Sequence, residues 1–400
     1  MLLWLLDRLA NAWPDVVASH ELAALEKITL RASLAAMVGF LAAVLLGPRW
    51  IAWLKRRFRE PIKGASPELR RLHRNKQSTP TMGGLFIVAG LAAGVVIFGD
   101  LGNRYVQVAL LVAGGLALIG AVDDLVKLRG TANGITARSK LAGQLAVATA
   151  AALLLYQHHA PLPDGLQLRL PLMETGLSLG LWFVPLAVLV IVGASNAVNL
   201  TDGLDGLAGG CLIFATAAMT VVTYVSGHAE LATYLNVPRI PGSGEMTILA
   251  GGMIGGVLGF LWFNCHPAQV FMGDTGALPL GGLLGLLAVV TRQELLLVVV
   301  GGVFVAEAVS VILQVGYYKW RRRRIFRCAP LHHHFQFQGW AENKIVVRFW
   351  IASALCALLG VAGLKLNVKD AAATTPVTIG HKTTTVGHLP EITPRPRVAP

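Results

Sequence analysis

Charge is scarce in this sequence. Only 14% of its 400 residues are charged, while 54% are hydrophobic; water-soluble domains carry about 25% charged residues. Mean hydropathy is +0.62. So little polar surface cannot coat a soluble fold, and lipid is the solvent this composition fits. Acidic residues are scarcer than basic ones, 21 against 34, for a net charge of +13. On a soluble chain that excess would suggest nucleic acid. Here the basic residues cluster between apolar runs, which fits anionic headgroups and phosphate-bearing substrates, and nucleic acid is not expected as a partner. Cysteine is also sparse. Cys211, Cys265, Cys328 and Cys356 form no C-x-x-C pair, which excludes a disulfide framework or a thiolate zinc site. No internal repeat is evident, so an inverted-repeat transporter gains no support.

Apolar runs are what the chain has in abundance. A membrane-crossing helix needs about 20 such residues, and ten runs qualify, near 30–48, 83–99, 106–123, 141–157, 181–198, 208–226, 247–263, 276–291, 296–317 and 347–365. The expected fold is all-α, a polytopic integral membrane protein with ten spans. The opening MLLWLLDRLANAW is interrupted by Asp7 and Arg8 and has no small-residue cleavage site. It reads as an interfacial helix, not a signal peptide. Residues 1–29 are thus expected to form an outer interfacial segment, 30–366 the membrane domain, and 367–400 a disordered tail rich in Thr, Pro and Val.

Loop charge gives the orientation. Segments 49–80, 124–140 and 318–348 carry ten, four and eight Lys or Arg, and the alternate loops near 100–105, 158–180, 227–246 and 291–295 carry one each. The basic side is expected to be cytoplasmic, with both termini outside. Lys365, Lys369, Lys382, Arg395 and Arg397 oppose this mildly, from a tail where the rule is weak.

Unusual polar clusters gather on that same side. Asp123 and Asp124 close the third span; adjacent carboxylates at a membrane boundary need a cation, whether Lys127 and Arg129 or a bound metal. In NAVNLTDGLDG, Asn199, Asp202 and Asp205 recur at three-residue steps and share a face if helical. NCHPAQVFMGDTG sets Asp274 between glycines just before an apolar helix, as a cap or as a ligand for a hard cation such as Mg²⁺, which uses one or two carboxylates plus substrate phosphates. In APLHHHF, consecutive His332, His333 and His334 do not match zinc spacing and suit phosphate contact or proton transfer. Lys76 and Lys140 sit at the mouths of the second and fourth spans. Glu307, inside the ninth, reads as a structural hydrogen-bonding group.

With these segments in order, STPTMGG, AVDDLVK, NAVNLTDGLDGLA, NCHPAQVFMGDTG and APLHHHFQFQGW, the chain from about 30 to 365 resembles the phospho-N-acetylmuramoyl-pentapeptide transferase family, within the polyprenyl-phosphate N-acetylhexosamine-1-phosphate transferases. The resemblance implies a Mg²⁺-dependent transferase in the bacterial inner membrane, a homodimer with a cytoplasmic active site. Its substrates would be UDP-N-acetylmuramoyl-pentapeptide and undecaprenyl phosphate, its products lipid I and UMP. By motif match Asp274 is the Mg²⁺ ligand, and Asp123 and Asp124 act at the lipid phosphate, Asp123 as candidate base. His333 joins these as a catalytic residue. Asn199 and Asp202 line the nucleotide-sugar site, Asp205 and Phe271 hold uracil, and Lys76, Thr81, Lys140, Asn264, His332 and His334 contact substrate. Ala277 stands where serine is expected and Gln336 where glutamate is. A sister-branch transferase using another UDP-N-acetylhexosamine would share the acidic motifs. A CDP-dependent phospholipid synthase would need an arginine that DGLDGLAGG lacks.

Overall fold

The computed structural model describes residues 1–12, 24–57, 79–129, 134–169 and 176–365. Helices dominate: α1 (Leu2–Ala12), α2 (Ile28–Arg57), α3 (Gly84–Phe98), α4 (Arg104–Leu128), α5 (Ala137–His159), α6 (Phe183–Thr201), α7 (Leu207–Gly227), α8 (Ala229–Tyr234), α9 (Met246–Asn264), α10 (Asp274–Thr291), α11 (Glu294–Val300), α12 (Gly302–Arg321), α13 (Leu331–Phe337) and α14 (Glu342–Lys365). The described strands are β1 (Gln167–Leu168) and β2 (Leu177–Ser178), an antiparallel pair in one connection. Among the described residues, eight helices are long and apolar enough to cross a membrane, and α11 with α12 makes a ninth candidate. The chain is therefore a polytopic all-α membrane protein.

Every expected span coincides with a helix, with two adjustments. Helix α3 has 15 residues, a rise of about 22 Å, shorter than an untilted crossing of a bilayer core about 30 Å thick. The ninth run is not one rod: it bends by 88° between α11 and α12, at Gly301 and Gly302, where the apolar sequence has no side chains to hold a continuous helix. The expected tail from 367 and the loop holding Lys76 lie outside the described residues.

Helix starts follow local chemistry. The Asn103 side chain accepts from the N–H groups of Tyr105 and Val106 to open α4, and Thr136 accepts from Ser139 N–H to open α5, satisfying groups that no helix turn can reach. Helix α1 presents Trp4 and Leu5 outward with Arg8 over the Trp4 ring, as suits a helix in an interface.

Small residues let the spans approach closely, the usual device where lipid removes a hydrophobic drive for helix association. Gly251, Gly255 and Gly259 of α9 lie against Ala32, Ala36 and Phe40 of α2; a Cβ on Gly255 would sit 1.9 Å from the Ala36 carbonyl oxygen. Helix α10 runs through the centre, with all 18 residues buried. Its N-terminal end meets α4, where a Cβ on Gly120 would fall 2.2 Å from the Asp274 carbonyl oxygen. Gly120→Ala should therefore push α10 from α4 and cost about 1–3 kcal/mol, seen as a lower thermal midpoint in detergent. An unchanged midpoint would contradict this packing.

At the far end of the bundle, Arg31 and Glu245 pair through both guanidinium nitrogens at 3.1 and 2.6 Å, and Glu245 also accepts from Asp100 N–H at 2.9 Å. That knot joins α2, the α3–α4 turn and the start of α9. Buried Arg292, which caps α10, donates to Gln167 O, pairs with Glu294, and lies 4.7 Å over the Phe183 ring.

Candidate active site

The polar motifs meet at the opposite end of the bundle, where α4, α6, α9 and α12 finish and α5, α7 and α10 begin. The centre is Asp274, the first residue of α10. Lys127 donates to its Oδ2 at 3.0 Å, and the Lys140 ammonium contacts the same oxygen. Lys127 also reaches Asp123 Oδ2 at 2.8 Å and Asp124 Oδ1 at 3.6 Å, and Lys140 lies 3.7 Å from Asp123. All three carboxylates are nearly buried. Buried acids are tolerable only when paired and hydrogen-bonded, and here three of them share two ammonium groups.

The adjacent aspartates have different surroundings. Asp123 Oδ1 accepts from Ile135 N–H at 2.8 Å while Oδ2 faces Lys127. Asp124 is spent on α10: Oδ1 accepts from Asp274 N–H at 3.2 Å, and Oδ2 accepts from Thr275 N–H at 3.0 Å and Thr275 Oγ1–H at 2.7 Å. A carboxylate placed so satisfies the helix's first amides and complements its positive end. Asp124 thereby fixes where Asp274 points.

Backbone geometry supports this packing. Gly273 has φ 70°, and a Cβ there would lie 2.6 Å from Asp124 Oδ2 and 2.8 Å from Thr81 Oγ1, so glycine is needed both for the conformation and for the space. Met82 also takes φ 70°, a left-handed conformation costly for a side chain. It is held there as Gly83 and Gly84 donate to the Phe271 and Met272 carbonyls at 2.8 and 2.9 Å, and Phe271 N–H donates to Pro80 O at 2.8 Å. Thr81 is buried beside this seam and Phe271 is half-buried in it.

Asn264 is buried with both ends of its amide engaged. Its Oδ1 accepts from Gly206 N–H at 2.9 Å and its Nδ2 donates to Val270 O at 2.8 Å, stitching the loop after α6 to the loop before α10. Asp205 Oδ2 accepts from Ala268 N–H at 3.1 Å and lies 3.0 Å from His266 Nδ1, while Asp205 N–H donates to Glu342 at 3.0 Å. Trp350 Nε1–H donates to Gly206 O at 3.1 Å. Asn199 and Asp202, at the end of α6, are partly open.

Asp202 lies just beyond α6. Although the residue is partly open, packing around the carboxyl itself pushes it from the ordinary 3.8 up to about 7, with the Asp274, Asp124 and Asp205 charges adding to the effect and a Gly273 N–H opposing it. A raised carboxyl favours the folded state at low pH. The contribution is complete below the unfolded value of 3.8 and is lost as pH rises through about 7. In chelator, the thermal midpoint should therefore fall more between pH 5 and pH 8 for the wild type than for Asp202→Asn; parallel curves would contradict the shift.

The three histidines have three different environments. His332 is fully buried against Glu307. His333 Nδ1 lies 2.8 Å from Gln336 Oε1. His334 accepts from Arg327 N–H at 3.1 Å through Nδ1, and its Nε2 lies 2.8 Å from Gln338 Nε2. Of the two histidines expected from the motif to contact substrate, His332 has an enclosed ring and His334 has both ring nitrogens in local contacts.

Among the described residues, two groups of carboxylates and histidine have ligand atoms close enough for one cation, Asp123–Asp124–Asp274 and Asp205–His266–Glu342. The first is all oxygen donors, as hard cations require. In that group both Asp124 oxygens are engaged by α10 and Asp274 Oδ2 is gripped by lysines.

Sequence comparison places the chain among known proteins. A family model described as glycosyl transferase family 4 matches residues 106–292. The phospho-N-acetylmuramoyl-pentapeptide-transferase of Solidesulfovibrio magneticus is 49% identical over 345 residues, covering 85% of this chain and 94% of that protein. The one of Nitratidesulfovibrio vulgaris strain DP4 is 50% identical over 345 residues with the same coverage. Half of the aligned residues are thus shared across nearly the whole length of those enzymes, and the chain belongs to the phospho-N-acetylmuramoyl-pentapeptide-transferase family.

Proposed function

We propose that this enzyme moves phospho-N-acetylmuramoyl-pentapeptide from its UDP donor to undecaprenyl phosphate, releasing UMP and leaving lipid I in the membrane. The observation that carries this reading is the grip of Lys127 and Lys140 on Asp274, beside Asp123, close to a path for lipid. A cavity of about 500 Å³ between α6 and the bent α11–α12 pair is walled by Leu189, Gly193, Leu297 and Phe304 and reaches Ala197 and Val198, just before Asn199. Such an apolar groove suits a prenyl chain whose phosphate lies at the carboxylate cluster. The clustering of basic residues in loops at this end supports ten crossings with the site facing the cytoplasm, in the inner membrane of a bacterium. Cross-linking in native membranes would check the homodimer expected from the family.

Chemically, an oxygen of the lipid phosphate attacks the β-phosphorus of the donor. The new P–O bond forms as the bond from that phosphorus to the bridging oxygen breaks, and UMP departs with the electron pair. A phosphate monoester's second pKa is about 6, so the nucleophile is already ionised at neutral pH. Asp123 has one oxygen on a backbone N–H and one on Lys127, which lets it hold that lysine toward the phosphate. Lys127 and Lys140 are placed to neutralise phosphate charge, the main demand of phosphoryl transfer. Mg²⁺ fits the all-oxygen cluster through Asp274 and, when bound, supplies charge neutralisation at the diphosphate.

Donor choice tests the reading. In nanodiscs with undecaprenyl phosphate and Mg²⁺, the muramoyl-pentapeptide donor should be consumed and UDP-N-acetylglucosamine should not. The reverse preference would move the chain to the sister branch.

A further inference from the structure

Glu307 plays no part in the chemistry above, yet it is a fully buried carboxylate. It is 0% exposed on α12, a position where an ionisable group is costly and needs a reason. Its Oε1 accepts from His332 N–H at 3.1 Å and lies 3.3 Å from His332 Nδ1. His332 is itself 0% exposed. Neither its ring nitrogens nor Glu307 Oε2 has a well-formed hydrogen bond. The other face of the ring is against the active-site loop: a Cβ on Gly203 would lie 2.2 Å from His332 Nε2. The His333 ring follows at 4.2 Å. A single line of contact thus runs from a membrane-buried carboxylate, through His332, to the residue after Asp202.

Resting on the transferase reading, we propose that Glu307 and His332 form one positioning unit, which sets the Asn199–Asp205 loop and the place of His333 for the transfer. Glu307 anchors the first turn of α13 by accepting its amide, and the His332 ring is the spacer that fixes how closely that turn can approach Gly203. Neither side chain touches substrate. The three consecutive histidines then divide into a spacer, a ring whose place that spacer sets and a loop clamp. Displacing a reacting constellation by about 1 Å costs about a hundredfold in rate, so a unit of this kind acts on kcat and leaves substrate affinity nearly unchanged.

The test is steady-state UMP release by full-length protein in nanodiscs, with kcat and both KM values measured for Glu307→Gln, Glu307→Ala, His332→Ala and the Glu307→Ala/His332→Ala double variant. The expected result is a loss of kcat of about a hundredfold in each alanine variant, with KM values within threefold, and a double variant no worse than either single, because residues acting as a unit are non-additive. Glu307→Gln keeps an oxygen for the His332 amide and should lose between threefold and tenfold. The pH–rate profile should keep its shape in every variant. Additive losses, an alanine variant within threefold of wild type, or a displaced limb of the pH profile in His332→Ala would each overturn the positioning unit. Should an alanine variant fail to fold, Glu307→Gln and His332→Asn decide alone: in both, a kcat below one third of wild type with unchanged KM and profile supports the unit, and any other result overturns it. Failure of the wild type to release UMP would instead overturn the transferase reading.

Discussion

Asp274→Asn should lower UMP release about a thousandfold, the scale for removing an electrostatic partner present at the developing charge, while leaving the protein folded. The local charges explain why these effects separate. Asp123, Asp124 and Asp274 face Lys127 and Lys140, three negative groups against two positive ones. The substitution leaves two against two, so no ammonium is stranded, and the thermal midpoint should hold or rise. The amide retains the shape of the side chain but is a poor ligand for a hard cation. Excess Mg²⁺ should therefore recover little of the rate. A variant with near-normal turnover, or one whose activity returns fully with added Mg²⁺, would remove Asp274 from the centre of the mechanism.

Asp124→Ala should be nearly as damaging for a different reason. The wild-type carboxylate takes three hydrogen bonds from the start of α10, two of them from backbone amides. Removing it leaves those donors buried without a partner, at a cost of about 2 kcal/mol or more. It also lets Asp274 shift, and the rate should fall about a hundredfold. Stability and activity should thus fall together, in contrast to Asp274→Asn. Thr275→Val tests the geometry on a smaller scale, since it removes only the hydroxyl bond of 2.7 Å; it should cost about 1 kcal/mol and a few-fold in rate. If Asp124→Ala kept full stability and lost only Mg²⁺ affinity, Asp124 would be a ligand and not a brace.

How much of this could be read from the chain depends on the reach of each signal. The spans were legible because each is a local property of about 20 residues; the break in the ninth was not, since Gly301–Gly302 reads like the Gly251–Gly252 and Gly281–Gly282 pairs that lie inside unbroken helices. The acidic motifs were legible as exceptions, carboxylates where apolar residues were due. Their division of labour was not. Asp123 and Asp124 are neighbours in sequence, but only the packing of α10 against α4 gives one a helix to cap and the other a lysine to orient. Lys127 stood out as a partner for that pair at helical spacing, whereas its contact with Asp274, 147 residues away, depends on which helices are neighbours. His266 and Glu342 raised no local signal because their roles exist only through Asp205. Asn264 looked like a substrate contact, and its two backbone bonds show that an amide in a motif can serve the loop that carries the motif. The three histidines are identical in sequence and differ in burial and in partners, His332 enclosed against Glu307, His333 beside Gln336 and His334 between Arg327 and Gln338.

The most direct test of the central claim follows the β-phosphate. Wild-type protein in nanodiscs receives UDP-N-acetylmuramoyl-pentapeptide labelled at that phosphate, with Mg²⁺, and with or without undecaprenyl phosphate. The prediction is that label enters the lipid fraction with one UMP released per labelled lipid, and that omitting the acceptor leaves no UMP and no labelled protein. Stoichiometric UMP without acceptor, with label retained on the protein, would replace direct attack by a covalent intermediate. No turnover by folded protein with both substrates present would contradict the assigned reaction itself.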